Sequence, residues 1–387
     1  MQFVKRIAHL KPEGAYVMLA RAQALEAQGR EIIHLEIGQP DFDTYPNVAL
    51  AGIRAIATGK TGYNPSAGIP PLRQAIAEDA GRRRGFSFSA AQVVVAPGAK
   101  PILFFPLLAV LEPGDEVVYP DPGFPTYYAA ICVAGGTPVP IPLREERGFD
   151  LDLDAFDACL SPRTRLIILN TPGNPTGGIL SAETLAHVAA AARRHDCWVL
   201  SDEIYARLVY DGQASSIVSL PGMAGRTIIV DGFSKTYAMT GWRLGFGIMP
   251  EPLAQKVDLL LNHSIGCTAT FTQHAGLEAI LGPQDRVEVV RATFQKRRDL
   301  IVQGLNAIPG IRCPMPRGAF YVFPNVASFG RPVGELAEYL LNEAGVAVSP
   351  GTDFGANGQG HLRLSYANSS ENIQKALERM AQALAAL

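Results

Sequence analysis

The segment DGFSKTYAMTGWRLGFG occupies residues 231–247 and directly follows an apolar run, Ile228–Val230. This pattern predicts a buried strand that leads to Ser234 and Lys235 in a turn rich in glycine. Arg243 follows eight residues after the lysine. A strand that delivers a serine, a lysine and an arginine to one place indicates a binding or catalytic site.

Short apolar runs rich in β-branched residues alternate with helical stretches through much of the chain. Continuous apolar strands separated by helices indicate a mostly parallel sheet covered on both faces, and therefore an α/β fold. The strands are predicted at VVVA (93–96), DEVVYP (115–120), TPVPIP (137–142), RLIILN (165–170), CWVLSD (197–202) and TIIVDG (227–232), and the helices at 15–29, 70–83, 101–111, 123–134 and 181–195.

The pattern changes after about residue 284. A long charged helix is predicted over 286–308, and it is followed by short strands at 319–323, 346–348 and 361–366 with helices at 333–344 and 370–386. The N-terminal residues, with a strand predicted at 31–38, also lie outside the alternation. We therefore predict a large domain over 46–284 and a small α+β domain over 285–387, to which the N-terminal arm and helix of residues 1–45 belong.

Composition excludes several classes of protein. The chain has 387 residues, a net charge of −2 and 48% apolar residues, which is typical of a globular protein and gives no reason to expect nucleic acid as a partner. Its densest basic run, residues 82–84, is predicted to be a solvated helix end. Five widely spaced cysteines, no secretory signal and no membrane-length apolar segment predict a soluble cytoplasmic protein, and no His cluster suggests a metal.

Polar residues and glycines follow most of the predicted strands. In an open α/β sheet, ligands bind beyond the carboxyl ends of the strands, so these residues are candidates for a site. They are Pro97–Lys100, Asp121–Phe124, Asn170–Asn174, Asp202–Tyr205 and Ser234–Lys235.

Three of these residues have a functional and a structural interpretation. Lys235 is either a surface lysine whose stem covers apolar surface or a Schiff-base lysine, whose pKa burial and a nearby Arg243 would lower. Asp202 is either the N-cap of a helix or a buried carboxylate that faces a cationic ring nitrogen. Tyr205 is either packing or a hydroxyl that holds a phenolate oxygen.

The turn PGAKP at 97–101 joins a strand to a helix. Free N–H groups at Gly98, Ala99 and Lys100 make a potential phosphate site, for which Ser234 and Arg243 would supply further donors. Phe124 is either core or a ring that stacks on a flat ligand. A flat, phosphorylated, carbonyl-bearing cofactor with a protonatable nitrogen is pyridoxal phosphate (PLP), and we predict that the chain binds it.

The sequence resembles class I aminotransferases of PLP fold type I, the aspartate-aminotransferase-like group. Eight blocks carry this resemblance in the family's order, over nearly the whole chain. They are GQPDFDT (38–44), GYNPSAGIPPLR (62–73), PGDEVVYPDPGFPTY (113–127), NTPGNPTGG (170–178), SDEIYARLVYDG (201–212), FSKTYAMTGWRLGF (233–246), RGAFYVF (317–323) and VSPGTDFG with HLRLSYA (348–367).

The resemblance implies a role for each residue around the cofactor ring. Lys235 would form the internal aldimine and move the proton, and Asp202 would pair with the pyridine nitrogen. Asn174 and Tyr205 would hold the ring hydroxyl oxygen, and Phe124 would stack on the ring.

The resemblance also implies a phosphate site and a dimer. Gly98, Ala99, Ser234 and Arg243 would bind the phosphate together with Tyr63 from a second subunit. The enzyme would then be an obligate homodimer with shared active sites.

The implied reaction transfers the amino group of an L-amino acid to 2-oxoglutarate or a similar 2-oxo acid. Arg363 would bind the substrate α-carboxylate, with Gly38 and Asn174 beside it.

The identity of the substrate side chain stays open. In related enzymes a lysine at the position of Lys100 reaches an acidic side chain, whereas Glu13 would repel one. Phe3, Tyr16 and Phe320 would make a pocket that tolerates aromatic groups.

Two other functions fit parts of this pattern. A PLP-dependent C–S (β) lyase would use the same cofactor residues, because the two chemistries diverge only after the Cα proton leaves. A regulator that senses the cofactor would need a DNA-binding extension, for which the 387 residues leave no room.

Overall fold

The computed structural model describes residues 4–8, 10–212 and 214–387. The helices are α1 (Gly14–Glu26), α2 (Pro46–Ala57), α3 (Pro70–Arg84), α4 (Lys100–Val110), α5 (Thr126–Ala134), α6 (Leu153–Cys159), α7 (Ala182–Arg194), α8 (Glu251–Ser264), α9 (Thr270–Leu281), α10 (Asp285–Asn306), α11 (Val333–Tyr339) and α12 (Ser370–Ala385). The strands are β1 (Ile33–His34), β2 (Val93–Ala96), β3 (Glu116–Asp121), β4 (Thr137–Arg144), β5 (Asp150–Leu151), β6 (Thr164–Asn170), β7 (Trp198–Asp202), β8 (Thr227–Gly232), β9 (Gly245–Ile248), β10 (Tyr321–Val322), β11 (Val346–Ala347), β12 (Ser349–Pro350) and β13 (Leu362–Ser365).

An eight-stranded sheet forms the centre of the molecule, in the order β2-β9-β8-β7-β6-β3-β4-β5. The five strands β8, β7, β6, β3 and β4 are parallel to one another. Strand β9 is antiparallel to both β2 and β8, and β5 is antiparallel to β4. The predicted α/β fold with a mostly parallel sheet is confirmed.

Both faces of this sheet are buried, as the continuous apolar runs predicted. Along β6, Leu166 and Ile168 pack into a core with α4, α5 and α8, whereas Ile167 and Leu169 pack into a core with α6 and α7. Alternate residues of a strand point to opposite faces, so a strand between two helical layers must be apolar throughout.

Two smaller sheets lie in the remaining part of the molecule. Strands β10, β13 and β12 form an antiparallel sheet, and β1 pairs in parallel with β11, so that Ile33 faces Val346. This pairing joins the N-terminal segment to the C-terminal part of the chain and supports grouping them together. The domain boundaries at residues 45 and 284 stay a prediction.

Several local predictions differ from the structure. The strands expected at 31–38 and 319–323 have only two residues each, Ile33–His34 and Tyr321–Val322, and the end of the helix expected at 333–344 is a π-helical turn, Leu340–Ala344. Strand β9 was not predicted, because Gly245 and Gly247 weaken its strand propensity. Helices α2, α6, α8 and α9 and the two-residue strands β5 and β12 were also missed. No helix of the described residues combines the length and the apolar character needed to span a membrane.

The basic run at 82–84 is a solvated helix end only in part. The Arg82 side chain is 67% exposed, but that of Arg84 is 4% exposed and donates to Glu203 at 2.7 Å and to Asp231 at 3.1 Å. Helix α3 ends beside the carboxyl ends of β7 and β8, where two buried carboxylates need a cation. The prediction was therefore wrong for Arg84.

Candidate active site

A cavity of about 1250 Å³ opens at the carboxyl ends of β6, β7 and β8. The N-terminal segment, the start of α4 and residues of β10 and β13 form its other walls. The structure brings most of the predicted site residues together in the lining of this cavity, namely Gly38, Ala99, Lys100, Phe124, Asn174, Asp202, Tyr205, Ser234, Lys235, Arg243 and Arg363.

Lys235 lies in the turn that follows β8, and its side chain reaches into the cavity. Its Nζ donates to the carbonyl oxygen of Gly38 at 2.7 Å and lies 5.8 Å from the centre of the Phe320 ring. Burial, together with the charges of Arg363 and Arg243, lowers the pKa of this amine from its ordinary value of 10.5 to about 8. A lysine in this state has a substantial neutral fraction near pH 8, which an attack on a carbonyl requires.

Asp202 ends β7 and is 5% exposed. Its carboxylate accepts a hydrogen bond from the Tyr127 hydroxyl at 2.7 Å and another from the Ile204 amide at 3.2 Å. Burial raises the pKa of Asp202 to about 6 even though both hydrogen bonds lower it. A turn, not a helix, follows at 204–207, so this aspartate is not a helix N-cap. A buried carboxylate with a raised pKa gains from a cationic partner in the cavity.

Arg363, on β13, is buried at the opposite wall. Its guanidinium lies 4.8 Å from the ring centres of Tyr321 and Phe354 and donates to Asn174 Oδ1 at 3.3 Å and to the Glu36 carbonyl oxygen. Its Nε is buried and has no partner among the described residues. An arginine that is fixed by stacking between two rings and keeps a free N–H group is suited to bind a carboxylate.

The loop at 97–99 packs tightly against the start of β9. Gly98 has a φ of +92°, and a side chain there would lie 2.2 Å from an Arg243 terminal nitrogen. A Cβ at Gly245 would lie 2.5 Å from the Ala99 amide nitrogen. Glycine is therefore required at both places. The loop backbone lies against the Arg243 guanidinium, and Ser234 lines the same cavity, so donors suited to a phosphate are available there.

Phe124 and Lys100 lie side by side in the cavity wall. The Lys100 Nζ is 5.6 Å from the centre of the Phe124 ring, and this ring meets Tyr127 edge-on at 5.7 Å. Tyr16 also lines the cavity, whereas Phe320 is buried behind the lining. The third aromatic residue expected here, Phe3, lies outside the described residues. The stacking of Phe124 on a cofactor stays a prediction.

Tyr63 does not line this cavity and is fully exposed. Helix α2, which precedes it, also exposes three apolar side chains, Leu50, Ile53 and Ile56. This arrangement fits the expected contribution of Tyr63 to a second subunit, which stays a prediction.

Two tyrosines of the site were missed in the sequence. Tyr127 holds Asp202, and the hydroxyl of Tyr321 lies 2.9 Å from that of Tyr205. Both tyrosines occur in blocks that carry the family resemblance, and Tyr127 follows Phe124 by three residues, about one helical turn. Tyr321 had no comparable local signal.

A lysine with a lowered pKa, a buried carboxylate and two groups of donors suited to anions meet at the edge of a mostly parallel sheet, an arrangement typical of an α/β enzyme. Comparison with known proteins identifies the family. Residues 30–380 match the family model described as aminotransferase class I and II. The chain belongs to this family, whose members are PLP-dependent aminotransferases.

Individual relatives agree with this assignment. The chain is 40% identical to a probable aspartate/prephenate aminotransferase of Aquifex aeolicus over 98% of both chains. It is 38% identical to aromatic-amino-acid aminotransferase 2 of Thermococcus litoralis over 99% of this chain and 98% of the relative. The structure of aspartate aminotransferase from Thermus thermophilus with maleate superimposes with a TM-score of 0.95 at 39% identity, covering 99% of this chain and 100% of the other. Nothing in these similarities favours a C–S lyase.

Proposed function

We propose that the cavity binds PLP and transfers the amino group of an L-amino acid to a 2-oxo acid. The observation that carries this proposal is the meeting of Lys235, Asp202 and Arg363 in one cavity. When bound, PLP supplies an aldehyde that accepts the amino group and a ring that withdraws electrons from the substrate Cα. The glycine at 98, the donors beside it and the unpartnered Nε of Arg363 support a fit to a phosphate and a carboxylate.

The residues around the ring have distinct tasks in this proposal. Lys235 binds the cofactor carbonyl carbon and moves the proton at the substrate Cα. Asp202 keeps the proton on the ring nitrogen, and Tyr127 orients that carboxylate. Asn174 and Tyr205 hold the ring hydroxyl oxygen.

Anionic groups are bound at the two ends of the cavity. Gly98, Ala99, Ser234 and Arg243 hold the phosphate. At the other end Arg363 binds the α-carboxylate through two parallel hydrogen bonds, which orients the Cα–H bond toward the lysine. The Gly38 carbonyl oxygen accepts a hydrogen bond from the Lys235 Nζ and so holds the lysine amine beside the position of the substrate Cα.

A single-turnover absorbance scan tests the reaction class. Cofactor-loaded protein is mixed with each of the twenty amino acids without a 2-oxo acid. We expect the absorbance of the lysine-bound cofactor to disappear, with the pyridoxamine form and a 2-oxo acid as products. Persistence of the band while ammonia and pyruvate accumulate would instead identify a lyase.

We also propose that the active unit is a homodimer in which Tyr63 completes the phosphate site of the partner. The exposed apolar face of α2 beside a fully exposed Tyr63 supports this proposal. Mixing two inactive variants, Lys235→Ala and Tyr63→Ala, tests it, because shared sites give each mixed dimer one site with both residues intact. Recovery of activity on mixing is expected, and its absence would contradict shared sites.

A cytoplasmic location is the last part of the proposal. The five cysteines are free thiols, and Cys197 and Cys313 among them are buried. Unpaired cysteines are usual in a reducing compartment. Cell fractionation with an antibody against the protein would test the location.

A further inference from the structure

We propose that an ion pair between Glu13 and Lys100 makes this site selective for substrates with uncharged side chains, against those that carry a second carboxylate. This inference rests on the proposed function, because it assigns the substrate class of the same cavity.

The ion pair joins two segments that lie far apart in the sequence. Glu13 immediately precedes α1, and Lys100 is the first residue of α4. The Glu13 carboxylate accepts a hydrogen bond from the Lys100 Nζ and a second one from the Thr126 hydroxyl at 3.1 Å. Two donors from separate helices therefore hold this carboxylate in the cavity wall.

Both members of the pair lie close to the groups that would bind the reacting part of the substrate. The charge of Lys100 contributes to the lowered pKa of Lys235. The charge of Glu13 contributes to the raised pKa of Tyr321, which stacks on Arg363. A substrate held between Arg363 and Lys235 would extend its side chain toward this pair.

The other cations of the cavity already bind other groups in the proposed function. Among the described lining residues four are cationic, namely Lys100, Lys235, Arg243 and Arg363. In the proposed function the last three bind the cofactor carbonyl, the phosphate and the α-carboxylate. Lys100 is the one that remains for a side-chain carboxylate, and Glu13 already neutralises it.

The surrounding wall suits an uncharged side chain. Leu19, Ile37, Phe124 and Tyr16 line the cavity, and the Phe124 ring lies beside Lys100. Asp43 also lines the cavity and, like Glu13 and Asp202, adds to the negative charge that a dicarboxylate would meet. Apolar and aromatic side chains gain from burial against this surface without displacing a charge.

The discrimination comes from repulsion between carboxylates more than from the strength of the pair. The side chains of Lys100 and Glu13 are 43% and 24% exposed, and a partly exposed ion pair costs little to separate. A dicarboxylate, however, would place its side-chain carboxylate next to that of Glu13, with the single ammonium of Lys100 between them. Repulsion between the two like charges disfavours binding. The same preference applies to the 2-oxo acid, so 2-oxoglutarate would bind less well than a 2-oxo acid with an uncharged side chain.

Glu13→Gln tests the inference in the cofactor-loaded enzyme. It keeps the size of the side chain but removes the negative charge, which frees Lys100 for a substrate carboxylate. We expect kcat/KM of the half-reaction with aspartate to rise about tenfold and that with phenylalanine to change less than about twofold. The matched control is Glu78→Gln, which removes the same charge from the exposed face of α3 and should change neither.

The double variant Glu13→Gln with Lys100→Met tests whether Lys100 causes the rise in kcat/KM with aspartate. If the freed ammonium binds the second carboxylate, the gain for aspartate should disappear in the double variant. A gain that persists would overturn the role of Lys100.

Equilibrium binding gives a readout that does not depend on turnover. Calorimetry with succinate and with 3-phenylpropanoate should show preferred binding of the monocarboxylate to the wild type and a stronger affinity for succinate in Glu13→Gln. Preference of the wild type for succinate or aspartate, with no gain in the variant, would overturn the inference while leaving transamination intact. Absence of transamination with every amino acid would instead contradict the proposed function, and the binding data would still decide the selectivity.

Discussion

Two sides of the cavity differ in burial and in the state of their charged groups. The sheet-edge wall, which consists of Asp202, Ser234 and Lys235 at the ends of β7 and β8, is largely buried, and burial moves the pKa of Asp202 to about 6 and that of Lys235 to about 8. The rim consists of Glu13, Tyr16 and Lys100, and Tyr16 is 59% exposed. Charges in the wall are held away from water, whereas those of the rim can exchange partners.

This difference indicates a division of tasks. Groups that move protons or stabilise charge need a dry, fixed environment, because electrostatic interactions are stronger there and require no reorganisation. Groups that choose among side chains can lie in a wetter region. Substitutions in the wall should therefore reduce turnover for every substrate, while substitutions at the rim should change the ratio between substrates.

The largest effect is expected for Lys235→Ala. Loss of the amine removes the group that binds the cofactor carbonyl and moves the proton, so kcat should fall by about 10³-fold or more. The absorbance of the lysine-bound cofactor should also be lost. The control is Lys256→Ala, an exposed lysine of α8 that should retain both. Appreciable steady-state turnover in the Lys235 variant would refute its role.

Asp202→Asn should reduce kcat about 10- to 100-fold, because a charge-assisted hydrogen bond to the ring nitrogen is worth about 1.5–3 kcal/mol. Tyr127→Phe gives a milder test of the same wall. It removes a hydrogen bond that lowers the pKa of Asp202. The acidic limb of the kcat/KM profile should therefore move to higher pH. An unchanged profile would show that Asp202 does not titrate in the active enzyme.

Arg363→Lys should raise KM for every amino acid about 10- to 100-fold and change kcat less. Lysine cannot reproduce two parallel hydrogen bonds or the stacking between Tyr321 and Phe354. Because the α-carboxylate is common to all substrates, phenylalanine and aspartate should be affected equally. An effect confined to aspartate would place the second carboxylate at Arg363 instead.

Cofactor loading should depend on pH through Lys235. A folded-state pKa of about 8, below the ordinary value of 10.5, leaves about one tenth of the amine neutral at pH 7. The rate at which the cofactor-free protein binds PLP covalently should therefore rise about tenfold from pH 6 to 7 and level off above pH 8. Stopped-flow absorbance measures this rate. A rise that continues to pH 10 would mean that the lysine is not perturbed.

The smallest effect is expected away from both sides of the cavity, at His34. Its ring contacts the fully buried Glu36 at 2.8 Å, and this hydrogen bond raises the pKa of His34 to about 9. The resulting stabilisation is complete below pH 6.5 and is lost as pH rises toward 9. His34→Gln should lower the free energy of unfolding by about 1.5 kcal/mol at pH 6 and by less at pH 9.5.

Urea denaturation at the two pH values measures this difference. The control is His187→Gln, since His187 pairs with an exposed carboxylate, Asp157, at a similar distance of 2.9 Å. This control should change stability by a few tenths of a kcal/mol. Equal effects of the two substitutions would show that burial of Glu36 does not matter.

Local patterns were sufficient for six of the eight strands of the central sheet and for part of the sheet-edge wall. Each of these six strands was predicted within a residue or two because continuous apolar runs must be buried on both faces. Asp202 and Lys235 were candidates because they follow such strands, and the family resemblance added Arg363, which no local pattern indicated. Strand β9 was missed because its two glycines weaken the strand pattern, and pairing with β2 and β8 stabilises it instead.

The sequence alone determined the fold class, the family and the positions of the strand-end residues, because apolar periodicity and the order of motifs act over short stretches of chain. The tertiary structure decided which charges meet. Arg84 looked like a solvated helix end, yet it lies against Glu203, 119 residues away. Glu13 and Lys100 are 87 residues apart and share a hydrogen bond. Pairings of this kind depend on how helices and strands pack, and neither partner's local sequence encodes the other's position.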